Sequence, residues 1–157
     1  MVQDRPKDID VKASLAIQGP LLVVTDLMGT TLRDDGAVLP AYRTAFAECA
    51  IPFAEQELAN WRGAHKLSLF TEFAMRRYPA DEAPKIAAAA LEVFESQLRR
   101  FLASGGGIPI SGAEDAIRRL RAAGIKVVLT SGFDRRLIAD IVTHCDWASC
   151  LTRSSTR

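Results

Sequence analysis

Residues 21–24, Leu-Leu-Val-Val, form an unbroken apolar run, after which the polar Thr25 and Asp26 arrive at once, with Gly29-Thr30-Thr31 close behind. A short apolar run bounded by turn residues predicts a buried strand of the parallel type, feeding a glycine-opened loop within residues 21–32. From Pro40 the spacing turns helical. Tyr42, Ala45, Phe46 and Cys49 make one stripe, with Pro40 suited to a helix start and Ile51-Pro52 ending it. Residues 55–61 predict a second, short helix. Residues 66–78 predict a third, with Leu67, Phe70, Phe73 and Ala74 on one side and Pro79 as its stop. Residues 81–102 are alanine-rich and helical in period, with Ile86, Leu91, Phe94, Leu98 and Phe101 toward a core.

Two glycine-marked links flank this helical stretch: Arg33-Asp34-Asp35-Gly36 before it and Ser104-Gly105-Gly106-Gly107 after it. Beyond the second link the α/β rhythm returns. A helix is predicted over 112–123 with Gly124 as its C-cap, a buried strand over 125–129, a polar strand end at Thr130-Ser131-Gly132, and a further helix over 134–144. The expected organisation is a leader (1–20), an α/β core from 21–34 and 105–157, and a helical insertion over 35–104.

Composition narrows the class. The chain has 157 residues, 48% hydrophobic and 25% charged, which suits one soluble domain with a real core. A net charge of +1 with arginines scattered among acids predicts neither a nucleic-acid nor a membrane surface. Cys49, Cys145 and Cys150 show no metal-ligand spacing and read as reduced thiols of a cytoplasmic protein. The first twenty residues carry acids and a proline and no long apolar stretch, so a partly ordered leader is expected rather than a signal peptide or membrane span.

The chemistry concentrates at the two strand ends. Asp26 lies where ligands bind in open α/β sheets; the alternative is a carboxylate that merely caps a turn. Ser131 ends the second strand, and the following Gly132 and helix N-terminus favour an anion; the alternative is a simple helix cap. Thr130, one place earlier, points to the other side of the strand. The loop through Met28, Gly29 and Thr30 can bring amides and a carbonyl close to a ligand, because Gly29 has no obstructing side chain.

VVTDLMGTTL, WRGAHKLSLF, ISGAEDAIRRLRAAGIK and VVLTSGFDR, in this order and spacing, resemble the haloacid dehalogenase superfamily with a helical cap inserted just after the first strand. More narrowly the sequence resembles the phosphonatase-like branch, the group around phosphonoacetaldehyde hydrolase. The resemblance runs over residues 21–147. It implies an α/β, Rossmann-like core with a parallel sheet, incomplete at the C-terminus, and an Mg²⁺-dependent hydrolase acting on a small phosphonate or phosphate substrate. Asp26 would be nucleophile and metal ligand, with the Met28 carbonyl a second ligand and Gly29, Thr30, Ser131 and Gly132 around the phosphate. Such chemistry needs an in-line nucleophile, donors for the equatorial oxygens and a cation to neutralise charge.

Two departures bear on mechanism. Most phosphatases of this superfamily carry an acid/base Asp where this chain has Met28, and a thioether cannot transfer a proton. The phosphonatase branch also lacks that acid and relies on a cap lysine that forms a Schiff base with its aldehyde substrate. Lys66, 40 positions after Asp26, stands where that lysine is expected. A desolvated pocket would lower its pKa and free the amine to attack a carbonyl; the alternative is a solvated surface lysine at a helix start. His65 beside it could assist proton transfer. The second departure is the end of the chain. After Trp147 it reads ASCLTRSSTR, without the basic third motif or the acidic fourth motif of the superfamily. A truncated or frameshifted end is therefore expected, since a one-base shift in the codons for 151–157 permits an acidic, apolar, acidic string. The alternative function is an inactive relative or a phosphate-binding module. A sheet limited to the strands seen here would expose its edges, and a homodimer through the cap is an open arrangement.

Overall fold

The computed structural model describes residues 22–149 and residue 151. The leader expected over 1–20 lies outside the described residues, as does the tail expectation for 151–157 apart from Leu151. Strand β1 (Leu22–Asp26) pairs in parallel with β2 (Lys126–Thr130), with Leu22 opposite Lys126 and Asp26 opposite Thr130. Parallel strands need a long crossover. The chain supplies it with α1 (Val38–Glu48), a 3-10 turn (Glu55–Trp61), α2 (Lys66–Ala74), α3 (Ala83–Ala103) and α4 (Ala113–Ala122), while α5 (Arg135–His144) follows β2. The register places the C-terminal ends of both strands side by side, so the loops after Asp26 and Thr130 open on one edge.

Three features differ from the sequence expectation. Leu22 and Val24 are each 56% exposed, because alternate side chains of β1 face water in the two-stranded sheet of the described residues. Helix α2 stops at Ala74 rather than Tyr78. The chain tightens through Arg76 N to Phe73 O and Tyr78 N to Ala74 O, and the Tyr78 hydroxyl donates to Cys49 O at 2.8 Å ahead of Pro79. The buried face of α3 is led by small residues, Ala83, Ala87 and Ala90, and continues through Phe94, Leu98 and Leu102, whereas Ile86, Leu91 and Phe101 are only partly buried.

The alanine face lets α3 pack against both α1 and α2. An aromatic cluster fills the space between them: the Tyr42 ring lies 4.7 Å from Phe94, and Phe46 lies 5.2 Å from both Phe70 and Phe73. Phe133, from the loop after β2, reaches this cluster at 6.1 Å from Phe94. Further along α3, Arg99 joins Glu95 (3.0 Å) to Asp140 of α5 (2.8 Å). Burial raises the Glu95 carboxyl above the usual range, and the Arg99 guanidinium opposes that rise. Among the described residues no helix is long and apolar enough to cross a membrane.

Phe46 is fully buried, so Phe46→Ala is expected to cost about 3–5 kcal/mol, through lost transfer energy and the cavity left behind. Urea denaturation measures it, and a cost below about 1 kcal/mol would contradict the packed cluster.

Candidate active site

β1 ends on Asp26 and the backbone turns at once. Thr31 N and Leu32 N both donate to Leu27 O, at 3.0 and 2.9 Å, and Gly29 N donates to Leu32 O at 2.7 Å. Gly29 sits at φ +82°, where a side chain would be strained. Thr31, absent from the expected site residues, is buried and pins this loop, its Oγ1 lying 3.1 Å from Asp26 O and 3.2 Å from Leu27 O. All these bonds consume main-chain groups. The Asp26 carboxylate is exposed, and among the described residues neither it nor the Met28 carbonyl accepts a hydrogen bond.

Asp26 and Met28 line a cleft of about 380 Å³. Met28 and Gly29 line it beside Asp26; Ser131, Gly132 and Phe133 come from the loop after β2; Tyr42, Trp61, Arg62 and Lys66 come from the helical block. Asp34 lines it too, while its Oδ1 accepts from Val38 N at 3.1 Å and fixes the start of α1. Ser131 Oγ accepts from Phe133 N at 3.2 Å, and Asp134 caps α5 by accepting from Arg136 N at 2.7 Å. The structure thus gathers Asp26, Met28, Gly29, Lys66, Ser131 and Gly132 around one space. Thr30 and His65 are exposed and are not among its lining residues.

Lys66 is 7% exposed despite opening a helix. Its Nζ donates to Ala64 O at 3.2 Å and lies 5.9 Å from the ring centroid of Tyr42 and 5.7 Å from that of Phe133. Burial pushes the amine below the usual lysine range, and the charge of Asp26 only partly offsets this. The same residue ties the helical block to the sheet, because Lys66 N donates to Gly132 O at 3.0 Å. A Cβ on Gly132 would sit 2.1 Å from Ala64 O, so this position admits only glycine while the two loops touch. Tyr42 reads in sequence as a core-stripe residue, Trp61 as the end of a short helix, and Arg62 and Phe133 as loop residues. Their place in the cleft is set by tertiary packing, and the only sequence signal for it is that they flank Lys66 and Ser131.

For a metal, the free Asp26 carboxylate and Met28 carbonyl are hard oxygen donors of the kind Mg²⁺ takes, one or two from protein with water and phosphate completing the shell. Among the described residues no group of three or more His, Cys, Asp or Glu side chains is placed to hold a metal alone.

Gly132→Ala is expected to part the two loops, seen as lost hydrogen-exchange protection of the Lys66 amide; retained protection would contradict the contact. The lowered Lys66 pKa also predicts pH-dependent stability. Protons bind the unfolded lysine more tightly than the folded one, so stability should rise with pH between the folded pKa and about 10.4. Lys66→Met should remove that alkaline rise in denaturant unfolding, and an unchanged slope would argue against a buried amine.

The described fold is found in many solved structures. A predicted phosphatase from Clostridium acetobutylicum superposes with a TM-score of 0.62 at 15% identity, covering 84% of this chain and 58% of its own. A predicted phosphoglycolate phosphatase from Haemophilus somnus 129PT gives 0.63 at 13% identity, with coverages of 87% and 62%. CbbY from Rhodobacter sphaeroides, in complex with phosphate, gives 0.59 at 18% identity, with coverages of 82% and 58%. The chain thus spans about three-fifths of the length of these structures, and identities this low speak for the fold alone. No curated protein matches the sequence. The family model for haloacid dehalogenase-like hydrolases matches residues 21–156, most of the chain. With an α/β fold, a parallel sheet and this match, the chain belongs to the haloacid dehalogenase-like hydrolase family.

Proposed function

We propose that the protein is an Mg²⁺-dependent hydrolase of small phosphonate or phosphate substrates, with Asp26 as nucleophile and Lys66 as a substrate-binding amine carried on a helical cap. The observation that carries this reading is the buried Lys66 amine, opening on the same cleft as the free Asp26 carboxylate and Ser131. A lysine with no functional task avoids burial without a carboxylate partner.

In the phosphonatase-like version the substrate is a phosphonate with an aldehyde on its β-carbon. The Lys66 nitrogen adds to the carbonyl carbon, a proton is taken up and water leaves, giving a protonated imine. Asp26 attacks phosphorus, the C–P bond breaks, and its electron pair is taken up by the imine as an enamine. Water then hydrolyses the aspartyl phosphate, while protonation and hydrolysis release the aldehyde and regenerate Lys66. Ser131 Oγ and the amides of the Gly29 loop are suited to hold phosphoryl oxygens. Mg²⁺, held by Asp26 and the Met28 carbonyl, would supply charge neutralisation at the phosphoryl group. Met28 favours this version, since it supplies no proton to an ester leaving group.

A second reading, phosphate-ester hydrolysis, is favoured by the solved structures named as phosphatases, with Lys66 acting as a cation for substrate rather than as a nucleophile.

Turnover of phosphonoacetaldehyde against p-nitrophenyl phosphate separates the two. Asp26→Asn is expected to lower either activity by roughly a thousandfold. In the phosphonatase-like version Lys66→Ala should abolish phosphonoacetaldehyde cleavage and leave any ester rate nearly intact, whereas in the second reading it should lower the ester rate by removing the substrate-binding cation. If p-nitrophenyl phosphate is the better substrate and Lys66→Ala leaves both rates unchanged, the amine chemistry is wrong. No turnover of either with Mg²⁺ present would point to a phosphate-binding module.

A further inference from the structure

The amine of Lys66 is enclosed by rings rather than by charges. Among the described residues it forms no ion pair, and its hydrogen bond stays within its own segment, to Ala64 O. The two rings beside it, Tyr42 and Phe133, come from different parts of the fold. Tyr42 lies on α1, in the helical block that carries Lys66, and stays with it however that block moves. Phe133 lies two residues after Ser131, in the loop after β2. It is 6% exposed and reaches the helical block through Phe94. Its neighbour Gly132 makes the backbone bond to Lys66 and the close approach to Ala64 O.

We propose that Phe133 is a positioning residue for Lys66: it completes the apolar enclosure of the amine only while the helical block rests on the β2 loop, so that the amine is reactive in the closed arrangement and quiescent in the open one. This rests on the reading of Lys66 as a substrate-binding amine. The charged and titratable groups lining the same cleft are Asp26 after β1, Asp34 before α1, Tyr42 on α1 and Arg62 before α2. Asp26 favours the protonated amine and the ring faces draw it weakly, but desolvation outweighs them, and Phe133 is the part of that desolvation that the sheet side supplies. Opening would admit water to the ammonium and restore an ordinary, protonated lysine. The segment that offers Ser131 to an anion and the segment that arms the amine would therefore be one and the same, and an aldehyde meeting the open cleft would find no nucleophile.

Reductive methylation with formaldehyde and cyanoborohydride tests this without turnover. The amine adds to formaldehyde, water leaves, and hydride reduces the imine; the modified peptides are quantified by mass spectrometry over a pH series. The exposed Lys85 and Lys126 serve as internal references. Wild-type Lys66 is expected to react at lower pH than they do. Phe133→Ala should move its profile up toward theirs by on the order of one pH unit, and Phe133→Leu, which keeps an apolar side chain, should move it less. Ile141→Ala opens a comparable hole in buried α5 two turns further on and should leave the profile in place. The proposal is overturned if Phe133→Ala keeps the wild-type profile, or if Ile141→Ala shifts it equally, which would reduce the effect to general loosening. A wild-type Lys66 that tracks the references would overturn the amine reading itself, and this proposal with it.

Discussion

The contact on which this site depends is a backbone one, between the loop after β2 and the loop before α2. Lys66 N donates to Gly132 O, and the bare Cα of Gly132 lies against Ala64 O where any Cβ would collide. A hydrogen bond of this kind is worth only about 1 kcal/mol net. Its importance is positional: it sets the separation between the helical block and the sheet at the point where both contribute side chains to the cleft. Phe133 enters the aromatic cluster one residue after Gly132, and Lys66 loses its water at the same place.

Around that contact the fold divides its polar groups in a consistent way. The turn after β1 satisfies its main-chain donors internally, through Leu27 O and Leu32 O, and buries Thr31 to hold the turn. Ser131 and Asp134 do the same for the turn into α5. Left without a protein hydrogen-bond partner among the described residues are the Asp26 carboxylate and the Met28 carbonyl, on residues that line the cleft with Lys66, whose amine is held only by Ala64 O. Rigid turns that keep nothing in reserve for themselves leave those groups oriented before a ligand arrives, which is how a site avoids reorganisation at the moment of reaction.

Much of this was legible in the sequence. The α/β order, the two strands and every helix follow from the change between unbroken apolar runs and helical spacing, and Asp26 and Ser131 follow from their places at strand ends. What was not legible is instructive in each case. On α3 the expected face holds at Phe94 and Leu98 but not at Ile86, Leu91 and Phe101, and the alanines Ala83, Ala87 and Ala90 are buried instead, because close approach of α1 and α2 rewards small side chains. A lysine opening a helix reads as solvated. Its burial depends on Tyr42 and Phe133, distant in sequence on either side, and no local pattern encodes that meeting. Gly132 was legible as a glycine suited to an anion site, but its close approach to Ala64 O is a tertiary fact.

Among the described residues no carboxylate pairs with Lys66, and that gives the arrangement its chemical direction. An ion-paired lysine is held protonated, and burial then adds rigidity without reactivity. Here the negative charge that acts on the amine is that of Asp26, which the proposed reaction itself engages, and its close contacts are two rings and a main-chain carbonyl. A cation drawing on the Asp26 charge would weaken one influence that keeps the amine protonated, beside the Ala64 carbonyl and the two ring faces. An anion on that side of the cleft would draw the amine toward its protonated form and a cation at Asp26 would oppose it, and by linkage the protonation state of the amine feeds back on the binding of each.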